Sequence, residues 1–429
     1  MKVLVISAAF PPMHAGEATN AMYLCQHLAD RKLDVHVLTS RSNSGIDDPR
    51  LTVHPIMRNW SWSEVPRFRN FLKRCSPDVV FLMYLGLMYH YHPMITFTPT
   101  ISKRILPCVP FVTRYESPFE DVRLRTPSLL SRAFRKFVVV NWAGSRNVDY
   151  NFGTLLRDSD HIIALCELHR AVLLKRLPSA AGKTVLIPPP PNIRMCTDYV
   201  GARHRGRQIL GVKPDDFVIA FMGYVYPRKG VETLLQALQI VCRQRNNVRL
   251  VVIGGKIELA VANRSSYAEQ MYRLSKELGV DDKTTWTGEF KWDEEYASLY
   301  LNAADACVLP FNEGVHLHDS SFGSVAAHGL PIITTHGPGL DQPIIHNENV
   351  LLFPPKDAKA LAHAIMRLLE DPDHCRHLRV GAKKLAQEWF SWDSAIDRTV
   401  ATFGLAAQSE PSYERSADVK VGPILGSSK

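Results

Sequence analysis

Four consecutive prolines, Pro188 to Pro191, divide this chain into two stretches that each alternate apolar strands with amphipathic helices. Proline fixes φ and has no N–H to donate, so neither a helix interior nor a central strand can pass through such a run. In the first stretch, short apolar runs predict strands over 3–7, 35–39, 79–83, 111–113, 162–165 and 185–187, with helices such as 17–31 and 167–176 between them. In the second, strands are expected over 218–222, 249–253, 284–287, 306–309, 332–334 and 350–353, and helices over 231–242, 267–278, 293–302 and 358–369. Strand–helix alternation of this kind builds doubly wound parallel sheets. At 429 residues the chain is also too long for one ordinary core. The expected architecture is therefore α/β, with two Rossmann-like domains facing across a cleft. The boundaries read as 1–195 and 196–390, with a hinge from Pro188 to about Gly211. Residues 388–403 read as a final helix, and 407–429 as a loose polar tail.

Charge is unevenly spread. Residues 1–200 hold 25 Lys/Arg against 15 Asp/Glu, whereas the remainder is close to neutral. Two basic clusters, Arg67, Arg69, Lys73, Arg74 and Arg132, Arg135, Lys136, fall at helical spacing beside Phe68, Phe71, Leu72 and Phe134, Phe137. Such a face can lie on an anionic membrane or be a solvated face packed on a core, and both readings stay open. No nucleic-acid module is recognisable. Eight cysteines are scattered without a C-x-x-C pair, which favours reduced thiols over disulfides or a zinc site. The start of the chain, Lys2 followed by Val3-Leu4-Val5-Ile6, reads as a strand and not as a leader. From Val79 to Ser102 there is no Asp, Glu, Lys or Arg. His90, His92, Pro93 and Pro99 interrupt this stretch, so it is expected to be a buried strand followed by an apolar loop able to hold a greasy acceptor or dip into a membrane. The expected location is cytoplasmic, with peripheral contact at the inner face of the membrane.

Four segments carry chemistry. Phe10-Pro11-Pro12-Met13-His14-Ala15-Gly16-Glu17 joins strand to helix, and Gly16 lets an anionic ligand approach a helix start. It is not G-x-G-x-x-G, so a nicotinamide fingerprint is absent. A plain helix start, with Glu17 on the positive helix end, reads equally well. Ala220 to Val231 places Gly223 at a strand end, followed by Tyr224 and by Arg228-Lys229-Gly230 before a helix; the two cations suit a diphosphate, or are simply solvated. Leu309 to Thr335 contains Glu313, Gly314, Asp319, Ser320, Ser321 and Ser324 in a polar loop and short helix, then Gly329-Leu330-Pro331. His336 to Pro355 adds a glycine-rich loop and a buried strand, with Asp357 as a helix cap.

In this order, these pieces resemble glycosyltransferase family 4, of the retaining GT-B type. The likeness runs from residue 1 to about 400 and is carried by Gly223 with Lys229-Gly230, Ala304-Asp305, Glu313-Gly314, Ala327-His328-Gly329-Leu330-Pro331, Asn349-Val350-Leu351-Leu352 and Ser391-Trp392. The resemblance implies transfer of a sugar, with retention, from a nucleotide-sugar held by the second domain to an acceptor held by the first. It implies that Lys229 meets the diphosphate, that Gly16 contacts the donor phosphates, and that a helix over 391–406 crosses back to the first domain. The chain also departs from the family. Tyr224 stands where the family has arginine, so Arg228 is expected to supply the second charge. The later of the family's two glutamates, which reaches the ribose, is replaced by Ser324, and the loop from Glu313 is longer. The family's histidine after the strand ending at Thr113 is absent, and Glu116 is the candidate for orienting or deprotonating the acceptor; pairing with Arg114 is the competing reading.

The expected site is thus Glu116, Lys229 and Arg228 for catalysis, and Gly16, Gly223, Tyr224, Lys229, Glu313, Ser320, Ser321 and Ser324 for the donor. No D-x-D metal-ligand set is apparent, so catalysis is expected to need neither metal nor cofactor. The expected partners are a nucleotide-sugar and a glycan or lipid-linked acceptor, such as an envelope polysaccharide. The rival reading is a catalytically inactive, GT-B-shaped binding or scaffold protein that has lost its donor site.

Overall fold

The computed structural model describes residues 1–44, 47–118, 129–144, 148–255, 265–291 and 293–408. The tail expected beyond 408 lies outside them. The first domain is a parallel sheet of β1 (Lys2–Ile6), β2 (Asp34–Ser40), β3 (Leu51–Met57), β4 (Val79–Tyr84), β5 (Phe111–Tyr115), β6 (His161–Ala164) and β7 (Thr184–Leu186), in the order β3-β2-β1-β4-β5-β6-β7. The second is a parallel sheet of β8 (Phe217–Met222), β9 (Val248–Ile253), β10 (Thr284–Gly288), β11 (Ala306–Leu309), β12 (Ile332–Thr335) and β13 (Leu351–Phe353), in the order β10-β9-β8-β11-β12-β13. Both are Rossmann-like, and together they make a GT-B fold.

The chemistry of the strands explains the arrangement. The run Val79 to Met83 is buried throughout, as a strand covered by helices on both faces must be. Register holds Val3 opposite Val79 on one side and Val35 on the other. In each sheet the strand order reverses beside the first strand, between β1 and β4 and between β8 and β11. Ligands of open α/β sheets bind at the carboxyl ends of strands beside such a reversal. This puts the loops after β1, β8 and β11 at the site.

Three expectations are corrected. β3 does not announce itself in the sequence, because it is a half-buried edge strand that carries His54 and Pro55. The final helix expected over 388–403 starts later and runs Trp392–Gln408, close to the 391–406 of the resemblance, and Glu388 and Trp389 end a separate helix, Pro372–Trp389. The two helices break at Phe390, which packs its ring edge-on against Phe322 and fills the space above Gly323. The uncharged stretch up to Ser102 is mostly interior, with His90 and Tyr91 exposed in the short turn after β4. Met94, Ile95, Phe97 and Ile101 lie in the core of the first domain, and Thr98, Thr100 and Ser102 are buried with them. It lacks charge because it is interior.

Helix Trp392–Gln408 packs on the first domain. Ile396 and Phe403 join the core of Val3, Phe81 and Val112, with Phe403 edge-on to Phe81 at 5.2 Å between ring centres. Burying a side chain of that size is worth about 1.5–3 kcal/mol. Trp392 Nε1 donates to the Pro191 carbonyl at 3.0 Å, which ties the helix start to the proline run. Helix Tyr199–Leu210 packs against helix Tyr296–Ala303 of the second domain, and Arg203 donates to the carbonyls at that helix's end and to Asp305. All eight cysteines are free. Among the described residues, no helix is long and apolar enough to cross a membrane.

Candidate functional site

The site is built where backbones crowd. Gly230 ends the turn Pro227–Lys229 at φ 64°, and a Cβ there would fall 2.0 Å from the Pro310 carbonyl oxygen. Only glycine lets the loop after β8 lie this close to the loop after β11. The two loops are then stitched by Asn312, whose backbone N–H donates to the Arg228 carbonyl at 2.9 Å and whose side-chain amide donates to the Pro227 carbonyl at 2.6 Å. Gly314, at φ 90°, crosses Gly337 of the loop after β12 with no room for a Cβ on either.

This stitching aims Lys229. Its ammonium lies 3.5 Å from Asp319 Oδ1 and 4.0 Å over the ring of Phe311. Lys229 Cε and Ser321 Cβ are the atoms nearest the open face of Gly223, at 3.8 and 4.0 Å from where a Cβ would stand. Gly223, Lys229 and Ser321 therefore converge on one spot at the start of helix Ser320–Ala327. The Ser321 hydroxyl is buried there without a protein partner. Asp319 is the residue before that helix; it accepts from the His316 N–H at 3.0 Å. Burial works against its charge, but His318, Lys229 and that N–H outweigh it and hold the carboxyl below its ordinary range. Arg228 points elsewhere, to an exposed ion pair with Glu313 at 2.9 Å.

Across the cleft, Gly16 opens helix Gly16–Asp30 and faces the side-chain amide of Asn192, 3.5 Å from where a Cβ would stand. Glu17 is close enough for its charge to raise the phenol of Tyr224, after burial and Glu289; Tyr224 is pushed up to about 12. Glu116 sits at the end of β5, tied to Arg114 at 3.0 Å, with both side chains nearly buried. Burial raises its carboxyl, Arg114 opposes the rise and Glu17 adds to it. Arg114 thus occupies the group expected to orient an acceptor.

Ser324 requires a correction. It is fully buried, and its hydroxyl donates to the Ser320 carbonyl of its own helix at 2.8 Å. It turns inward, not to the cleft. Two residues that hold the site were given no role from the sequence. One is Asp319, visible there only as a polar loop residue. The other is Asp341, whose Oδ1 accepts from the Glu167 N–H at 2.9 Å and whose Oδ2 accepts from the Leu317 N–H at 2.9 Å. Asp341 thereby joins the first domain's helix Glu167–Arg176 to the second domain's donor loop. A cavity of about 730 Å³ opens beside that joint, lined by Glu167, Arg170, Leu317, Asp341, Lys384 and Trp389. None of the expected donor residues lines it, so volume alone does not mark the phosphate cradle.

The two basic helices separate. On Val65–Cys75, Phe68, Phe71 and Leu72 are buried, so its cations form an ordinary solvated face. On Leu129–Val138 and the residues after it, Phe134, Phe137 and Val140 are 46%, 61% and 42% exposed, beside exposed Arg132 and Lys136.

Residues 15–193 match the family described as Glycosyltransferase Family 4, and residues 203–385 match Glycosyl transferases group 1. A D-inositol 3-phosphate glycosyltransferase of Segniliparus rotundus is 27% identical over 260 residues, 59% of this chain and 54% of that protein. The chain spans about half the length of the curated relatives it matches. Sucrose-phosphate synthase from Thermosynechococcus elongatus superposes with a TM-score of 0.67 at 22% identity, covering 94% of this chain and 98% of that one. Anabaena HepE, solved with UDP-glucose, superposes at 0.65 with 16% identity, covering 94% and 99%. At these identities the likeness is one of fold.

Proposed function

We propose that this chain, a member of the family 4-like GT-B glycosyltransferases, transfers a sugar from a nucleoside-diphosphate donor to a glycan or lipid-linked acceptor. The observation that carries the reading is the convergence of Lys229, Gly223 and the partnerless Ser321 hydroxyl at one helix start, where backbone and side chain together suit a diphosphate. The UDP-glucose complex of HepE supports the same class of donor.

In the proposed reaction, the bond from the anomeric carbon to the diphosphate oxygen breaks and a bond to the acceptor oxygen forms on the same face. The acceptor's proton passes to the departing phosphate oxygen, so no separate base is needed and Glu116 can remain with Arg114. Lys229 stabilises the charge that develops on the leaving group. The chemistry needs no metal. Closure of the two domains would exclude water. Arg132, Lys136, Phe134 and Phe137 would bring the first domain to an anionic membrane at the cytoplasmic face, where a lipid-linked acceptor lies.

One observation favours the rival reading of a binding or scaffold protein without a working donor site. Both donor-site cations are already paired, Lys229 with Asp319 and Arg228 with Glu313. A panel of nucleoside diphosphates in a thermal-shift assay separates the two. A shift with one base and not others supports the transferase reading. No shift with any nucleotide, well above an ordinary dissociation constant, would sink it.

A further inference from the structure

The contact between the domains contains a cluster that sugar transfer does not use. Cys166 caps helix Glu167–Arg176, its Sγ accepting from the His169 N–H at 3.4 Å. His318, from the donor loop of the other domain, brings its Nδ1 to 3.4 Å from that sulfur. The rings of His169 and His318 lie 4.4 Å apart, and the ligand atoms of all three residues fall within 4.8 Å of one another. Cys166 and His169 are buried, while His318 is partly exposed and leaves a way in.

We propose that Cys166, His169 and His318 bind a zinc-class divalent cation that clasps the two domains beside the donor site. A thiolate and two imidazoles are the donor set of borderline-soft, tetrahedral cations, not of magnesium or calcium, which take oxygen. Zinc–sulfur and zinc–nitrogen bonds of about 2.3 and 2.0–2.1 Å put tetrahedral ligand atoms roughly 3.3–3.7 Å apart. The Cys166–His318 pair already meets that spacing, and small side-chain rotations bring in the third ligand. The Cys166 proton leaves to solvent as the metal–sulfur bond forms. The fourth position is left for water. Next to the cluster, His316 Nδ1 lies 3.5 Å from Asp341, the carboxylate that already bridges the domains. Because His318 precedes Asp319, the clasp would fix the loop that holds Lys229, and opening of the cleft would depend on metal. The inference stands apart from the donor reading, since its test needs no substrate.

The test titrates the full chain, freed of metal by chelation, with Co²⁺ and with Zn²⁺. Expected are a thiolate-to-cobalt charge-transfer band with the visible bands of tetrahedral cobalt, and a rise of a few degrees in Tm with Zn²⁺. Cys166→Ser, which can still cap the helix, and His318→Gln, on the other domain, should each abolish both signals while melting as the wild type does without metal. Absence of the thiolate band in the wild-type chain would overturn the proposal, with no variant needed. So would a band that survives both substitutions, which would place the metal on other cysteines.

Discussion

Lys229 and Asp319 meet at 3.5 Å, one from the loop after β8 and the other from the start of the helix after β11. The pair is nearly buried, and Phe311 covers the ammonium. Asp319 therefore stands where the negative charge of a diphosphate would stand. On the donor reading proposed above, an incoming phosphate would have to displace it from Lys229. The residue that marks the site electrostatically is thus an acid, while the signal read from the sequence was a pair of bases.

Replacing Asp319 by Asn removes the competing charge but keeps an oxygen to accept from the His316 N–H. The dissociation constant for a nucleoside diphosphate should fall, by roughly fivefold, for about 1 kcal/mol of lost competition. Lys229→Ala should abolish turnover and weaken the same nucleotide at least tenfold, leaving Asp319 unpaired at a stability cost of roughly 1–3 kcal/mol. Calorimetric titration of both variants checks this. Near-normal turnover in Lys229→Ala would mean that the phosphate sits elsewhere.

Ser324 faces its own helix, so restoring the family's carboxylate there should not restore a ribose contact. Ser324→Glu would place a charge in a fully buried position and should cost several kcal/mol, seen as a drop in Tm with no gain in nucleotide affinity. Ser324→Ala loses one hydrogen bond to the helix backbone and should cost no more than about 1 kcal/mol. A gain in affinity for the glutamate variant would show that this helix rotates on binding.

How much could be read in advance follows from what each feature depends on. Strands buried on both faces, such as Val79 to Met83, are legible as apolar runs. β3 is not, because an edge strand tolerates His54 and Pro55. Gly230 and Gly314 are legible, since a loop that crowds another backbone has no other residue to use, and Gly223 is legible because its φ of 134° favours glycine. The pairing of Lys229 with Asp319, the bridge from Asp341 to Glu167 and the inward turn of Ser324 are not legible, because each depends on which elements far apart in sequence come to lie side by side. The uncharged stretch up to Ser102 shows the same limit: interior and greasy surface share a composition, and only packing separates them.

Glu17 gives a prediction for pH. Burial raises its carboxyl above the ordinary value, against a smaller lowering by a backbone hydrogen bond. A carboxyl raised in the folded state binds its proton more tightly there than in the unfolded chain. Its contribution to stability is therefore full below the unfolded value of 4.5 and is lost as pH rises through the folded value. Glu17→Gln removes that loss. The variant should melt higher than the wild type near pH 8, with the difference shrinking towards pH 4.5. Melting curves across that range measure it, and a difference that does not change with pH would show that Glu17 is hydrated in solution.

The exposed aromatics after Leu129 give the last prediction. Phe134 and Phe137 lie open beside Arg132 and Lys136, and an apolar stripe edged with cations lowers its free energy by entering the boundary of an anionic bilayer. Burying one such ring is worth about 1.5–3 kcal/mol, so Phe137→Ser should weaken binding to phosphatidylglycerol vesicles roughly tenfold or more, and Phe134→Ser somewhat less. Cosedimentation at low and high salt reads both parts. Added salt should weaken the wild type, because Arg132 and Lys136 act through a screened field. The basic helix Val65–Cys75 serves as the internal control. Its aromatics are buried, so Arg69→Ser with Lys73→Ser should leave vesicle binding within about twofold of wild type. Equal loss from either helix would mean that net charge alone brings the first domain to a membrane, with no insertion of the aromatic rings.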